Sequence, residues 1–110
     1  MFVKVLVDAS PPQVTLEEPA DCTRFHVAAV AGADDTARLD RALRDASVGR
    51  VDGDDDARVD VDAVRRMADG RVGPGWDGDF DRMRAYARDK GWLDDAGATI
   101  AAHVEWVSNG

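Results

Sequence analysis

Two histidines and a glutamate are the first side chains in this 110-residue sequence whose types and spacing could do chemistry. His26 opens out of the apolar run Arg24-Phe25-His26-Val27-Ala28-Ala29-Val30, while His103 and Glu105 stand two residues apart in a second apolar stretch, 99–107. If both stretches are strands, His26 shares a face with Ala28 and Val30, and His103 shares one with Glu105, because alternate residues point the same way. Should those faces coincide, two imidazoles and a carboxylate form the ligand set of a facial metal triad, or an acid/base group. The plainer expectation is a partly exposed sheet face whose histidines are satisfied by their neighbours.

A second constellation is acidic. Asp52, Asp54 and Asp56 fall at the first, third and fifth places of a calcium loop, and Asp60 falls at the ninth. The sixth place is Ala57, where the sharp turn needs Gly, and the twelfth is Ala63, where a bidentate Glu should close the shell. Four carboxylates in five residues could still collect Ca²⁺ or Mg²⁺, but a solvated, self-repelling loop is the favoured reading. Gly73-Pro74-Gly75-Trp76-Asp77-Gly78 has the letters of a dinucleotide fingerprint without its context. A helix rather than a strand precedes it, Pro74 lacks an amide donor, and Asp77 would set a carboxylate against a pyrophosphate. It reads as a connector, with Trp76 anchoring the loop.

The remaining chemistry is sparse. Cys22 lies between Asp21 and Thr23, and a neighbouring carboxylate raises a thiol pKa, which makes a poor nucleophile. No Gly-x-Ser-x-Gly, phosphate loop, HExxH or Cys-x-x-Cys occurs in the sequence. No cofactor is therefore expected, and a non-catalytic role is favoured over an enzyme.

Behind these residues stand the elements that must position them. Val3, Val5 and Val7 alternate with Phe2, Lys4 and Leu6, a strand signal that Ser10-Pro11-Pro12 ends. Val14 and Leu16 alternate over a short edge-strand segment, and 24–30 reads as a buried central strand. From 34 to 48, Leu39, Ala42, Leu43 and Ala46 keep helical spacing, with Asp34 or Asp35 as cap and Gly49 as stop. The outer face pairs Asp34/Arg38, Asp40/Arg44 and Arg41/Asp45 at i,i+4. Residues 50–59 form a polar hairpin or loop. A short helix follows from Asp60, stapled by Val59 and Val64 and stopping at Gly70, and a third runs from its cap Asp77 to Lys90-Gly91. The stretch 99–107 fits both periods, and its β-branched content favours strand. The result is a single α+β domain over 1–110: two layers, an antiparallel or mixed sheet of about three to four strands, and three helices in the order β-β-β-α-α-α-β.

Composition bounds the function. There are 22 acidic against 14 basic residues, a net charge of −8; 19 of the acids are Asp and 12 of the bases Arg. Residues 58–90 are nearly neutral and both flanks are acidic, so there is no basic footprint for nucleic acid. On the last helix Arg82, Arg84, Arg88 and Lys90 scatter around the cylinder and alternate with Asp81 and Asp89, and the connection before it is long, which disfavours a helix-turn-helix. One cysteine and no long apolar run suit a cytoplasmic protein without a membrane span. Three tryptophans serve either as core or as binding hot spots. The expected role is a small acidic soluble module that binds a protein partner or a small ligand, with self-association as a homodimer through a sheet edge or face as one form. The alternative is a divalent-metal protein or small metal-dependent enzyme using His26, His103 and Glu105, or Asp52, Asp54, Asp56 and Asp60.

Overall fold

The computed structural model describes residues 1–108. Its elements follow in the order β1 (Phe2–Leu6), β2 (Gln13–Glu17), β3 (His26–Val30), α1 (Thr36–Asp45), β4 (Gly49–Val51), β5 (Asp56–Asp60), α2 (Val61–Ala68), α3 (Trp76–Asp89) and β6 (Thr99–Val107). The class is α+β, with three helices as expected, but the sheet has six strands rather than three or four. The two extra strands come from the Asp-rich segment. There Gly49–Val51 and Asp56–Asp60 pair antiparallel, because Ala57 and Val59 reach the core and hold the segment flat against β6.

Strand order is β2-β1-β3-β6-β5-β4. The strands β1, β3 and β6 run parallel, and each side is flanked by an antiparallel neighbour, β2 joined to β1 as a hairpin and β5 reached from β6 through α2 and α3. The ambiguous stretch 99–107 is thus a strand, and it is the one that joins the two halves of the sheet. A bridge from Leu93 to Ile100 continues the pairing beyond the end of β3.

Alternation along each strand divides the sheet into two faces. One face supplies Val3, Val5, Val27, Ala29, Val59, Ile100, Ala102 and Val104 to a core completed by Leu39 and Leu43 of α1, Val61 and Val64 of α2, and Trp76 and Phe80 of α3. All three helices therefore cover the same side. Trp76 anchors the connector as anticipated: its indole N–H donates to the Pro19 carbonyl at 2.6 Å, and its ring stacks on Phe80 at 4.7 Å.

Helix ends depart from expectation in detail. Asp35, not Asp34, caps α1 by accepting from the Arg38 amide. Gly49 does not stop that helix. Ser47 takes the left-handed conformation at φ 58°, the Val48 amide donates to Leu43 O and the Ser47 amide to Arg44 O, the hydrogen-bond pair of a Schellman ending. Gly49 instead begins β4, where a Cβ would lie 2.0 Å from the Arg58 carbonyl oxygen. Asp60 occupies the N-cap of α2 without a side-chain cap bond, and Val59 and Val64 are both fully buried. α3 starts at Trp76, so Asp77 lies in its first turn, where its charge still favours the helix dipole. Of the three i,i+4 pairs on α1, only Asp40/Arg44 closes among the described residues, and Arg38 turns instead to Asp8 at 3.0 Å. Among the described residues no helix is long and apolar enough to cross a membrane.

Candidate functional site

The second face of the sheet has no helix over it. Register places its side chains in rows across the parallel strands: Phe2, His26 and His103, then Lys4, Ala28 and Glu105, then Leu6, Val30 and Val107. Asp56 of β5 extends the first row beside His103. His26, His103 and Glu105 therefore share one face; the i,i+2 spacing put His103 beside Glu105, and the β3–β6 register brings His26 to them.

Their contacts are those of a braced surface. Phe2 stacks on the His26 imidazole with ring centres 4.9 Å apart and planes 14° from parallel. On the other side His26 Nε2 lies 3.4 Å from Glu105 Oε2. His26 is mostly covered while Glu105 and His103 are exposed. Among the described residues no group of three His, Cys, Asp or Glu side chains is arranged to hold a metal ion.

The acidic loop is spread by its hairpin. The Asp52 amide donates to Asp56 O, closing the turn, and the Asp52 carboxylate turns to Arg58 at 3.5 Å. Asp60 stands at the far end of β5, four residues along an extended strand from Asp56 and so about 13 Å away. The four carboxylates of the calcium-like spacing are not brought around one point.

Cys22 lies half-buried beside α3. Desolvation first, then the Asp79 carboxylate, push its thiol above the usual range, in line with a weak nucleophile.

Sequence reasoning missed the aromatic end of the open face. Ala101 exchanges a backbone bond with Trp92, its amide donating to Trp92 O at 2.7 Å, and Arg58 donates to the same carbonyl at 3.0 Å. Trp92 thereby joins the open face rather than the core and remains 45% exposed, with Tyr86 packed edge-on against it at 5.8 Å. Beside it a shallow pocket of about 290 Å³ is lined by Phe25, Asp56, Ala101 and His103. A signal existed: Lys90-Gly91 ends α3 just before Trp92, which leaves that ring outside the helix stripe.

Neither a protein family, nor a curated protein, nor a solved structure matches this chain. The site is accordingly read from its own geometry. A second concavity, of about 490 Å³, lies where the β1–β2 connection meets α1. Its Asp8 carboxylate is already committed to the Gly32 amide and the Arg38 guanidinium, and so braces the loop.

Proposed function

We propose that this chain is a non-catalytic interaction module whose binding surface for a protein partner is the open face of the sheet. One observation carries the reading. Parallel strands occur almost only in sheets covered on both faces, and their sequences are then apolar on both sides. Here β3 is apolar on both sides: Val27 and Ala29 meet the helices, while Ala28 and Val30 lie on the face that no element covers. Phe2, Leu6 and Val107 flank them, and Trp92 stands at one end as the kind of aromatic anchor that dominates binding energy.

The shape supports a macromolecular partner over a small ligand. Small-molecule sites are enclosed, whereas this surface is a broad sheet face with one shallow pocket at its end. An apolar strip on β1 and β3 flanked by polar and charged side chains, among them Lys4, His103, Glu105, Asp56 and Arg58, matches the mixed composition of non-obligate interfaces.

The test is site-specific photo-crosslinking in the native cytosol. A benzophenone amino acid replacing Val107 is expected to give a discrete protein adduct, and the same group replacing Asp89, on the outer surface of α3, none. A further Leu6→Glu change should abolish the Val107 adduct while leaving the thermal transition in place. Equal labelling from both positions, or an adduct indifferent to Leu6→Glu, would overturn the proposal.

A further inference from the structure

We infer that the cleft between α3 and the start of β6 is a binding site for a small aromatic carboxylate, whose planar ring is held by Tyr86 and Trp92 and whose anionic group meets Arg24. It is a cavity of its own against α3, and it stands independently of the reading of the open face.

The cleft follows from where the strands begin. β3 starts at His26, opposite His103, so the first residues of β6 run past it, and their edge is taken up by Trp92 and Leu93 as the chain leaves α3. A notch remains between Phe25 and Trp92 over Ala101, and Met83 and Tyr86 of α3 wall its side. It holds about 300 Å³, at the small end of ligand sites and suited to one or two fused rings. Tyr86 and Trp92 meet at 5.8 Å with their planes 66° apart, which makes a corner where a third ring stacks on one and sets its edge against the other. Of the three large apolar side chains left exposed among the described residues, two are this pair. Apolar surface that the core leaves out thus converges on one concavity, the mark of a place where something binds.

Charge decides the polar group of the ligand. In a chain with 22 acidic against 14 basic residues, the single charged side chain lining this cavity among the described residues is a cation, Arg24. Its own pairing is loose. Arg24 Nε lies 3.8 Å from Asp21, with no hydrogen bond between them among the described residues, because Asp21 receives the Thr23 amide and hydroxyl instead. The guanidinium therefore keeps its forked donors for a carboxylate, which matches them in a bidentate pair. The Lys90 ammonium already lies over the Tyr86 ring, 5.5 Å from its centre. A cationic ligand in the same corner would meet two like charges, and like charges at close range reject a ligand.

The experiment is a heteronuclear NMR titration of the full chain near neutral pH with indoleacetate, tryptamine and acetate, following the Trp92 indole N–H and the backbone amides of Ala87 and Ala101. Indoleacetate is expected to shift these signals saturably with a Kd of about 1 mM or tighter, within reach of a ligand this small. Tryptamine, with the same ring and the opposite charge, should bind at least about tenfold more weakly, and acetate should leave the signals in place. Arg24→Gln, at an exposed side chain, should weaken indoleacetate by at least about fivefold and remove most of its advantage over tryptamine. Trp92→Ala should abolish the response at Ala87 and Ala101. Thermal melts show whether each variant folds, and Arg24→Gln alone decides the matter if Trp92→Ala does not. The inference is overturned by the absence of a saturable shift up to about 10 mM. Tryptamine binding as tightly as indoleacetate, acetate reproducing the shifts, or a response that Arg24→Gln leaves unchanged would equally end it.

Discussion

At Ser47 the backbone favours a glycine that the sequence does not supply, and at Gly49 it requires the glycine that is there. Ser47 holds a left-handed conformation that costs an L-residue about 1–2 kcal/mol, so Ser47→Gly should stabilise the fold by up to about 1 kcal/mol once the added chain entropy is subtracted. Gly49→Ala lowers the entropy of the unfolded chain, which favours folding, but it forces a methyl into the Arg58 carbonyl oxygen 2.0 Å away and should destabilise by about 1–3 kcal/mol. Urea denaturation of the pair, expected to move in opposite directions, checks both. Asp94 governs a different property. Burial pushes its carboxyl upward, but donation from the Thr99 and Ala98 amides and the Thr99 hydroxyl outweighs this and holds it below its ordinary value of 3.8. A folded-state pKa lowered in this way contributes stability above pH 3.8 that is lost as pH falls through the folded value. Thermal melts of Asp94→Ala should therefore show a full deficit against wild type at neutral pH and a deficit that narrows in acid below about pH 4. At this scale the candidate site was partly legible. Period-2 spacing set His103 and Glu105 on one face, but whether His26 stood beside them depended on a register between strands separated by most of the chain, which no local pattern encodes.

Among the elements, α3 is held by a cluster that combines packing with charge. Phe80 is fully buried, stacks on Trp76 and carries the Arg65 guanidinium 5.1 Å above its ring, while Arg65 also reaches Asp77 and Asp81. Phe80→Ala should cost about 3–5 kcal/mol by equilibrium denaturation, since it opens a cavity and removes the surface that orients Arg65. The exposed ion pairs alone would add little. Strongly periodic elements were legible: β1, α1 and α3 follow from alternation or helical spacing, and Trp76 as an anchor follows from its place in a glycine-rich connector. Residues 50–59 were legible as a polar hairpin or loop, but the joining of β4 and β5 to the sheet was not, because Asp is disfavoured in strands and only Ala57 and Val59 carry the inward pattern. Non-local pairing with β6 overrides that local preference. The sequence left Trp92 open between core and binding surface for a related reason, since its position is set by a bridge beyond the end of a helix rather than by any repeat within one.

For the whole molecule, the acidic excess turns out to be distributed among structural duties. Asp35 caps α1, Asp40 receives Arg44 and the Val51 amide, Asp8 fastens α1 to the end of β1, and Asp52 closes the Asp-rich hairpin against Arg58. The α+β class was legible from strands and helices grouped in sequence; the six-strand count and the bare second face were not, since both depend on which strands become neighbours. The strand order has one more consequence. Among the described residues β6 is the last strand in sequence, yet it lies in the middle, between β3 and β5. During synthesis the half-sheets β2-β1-β3 and β5-β4 emerge first, each with an inner edge of unpaired amides and carbonyls that only Thr99–Val107 can satisfy. A nascent chain halted before residue 99 is therefore an open-edged, association-prone species, so the strand that joins the two half-sheets is also the one that shields the edge of each.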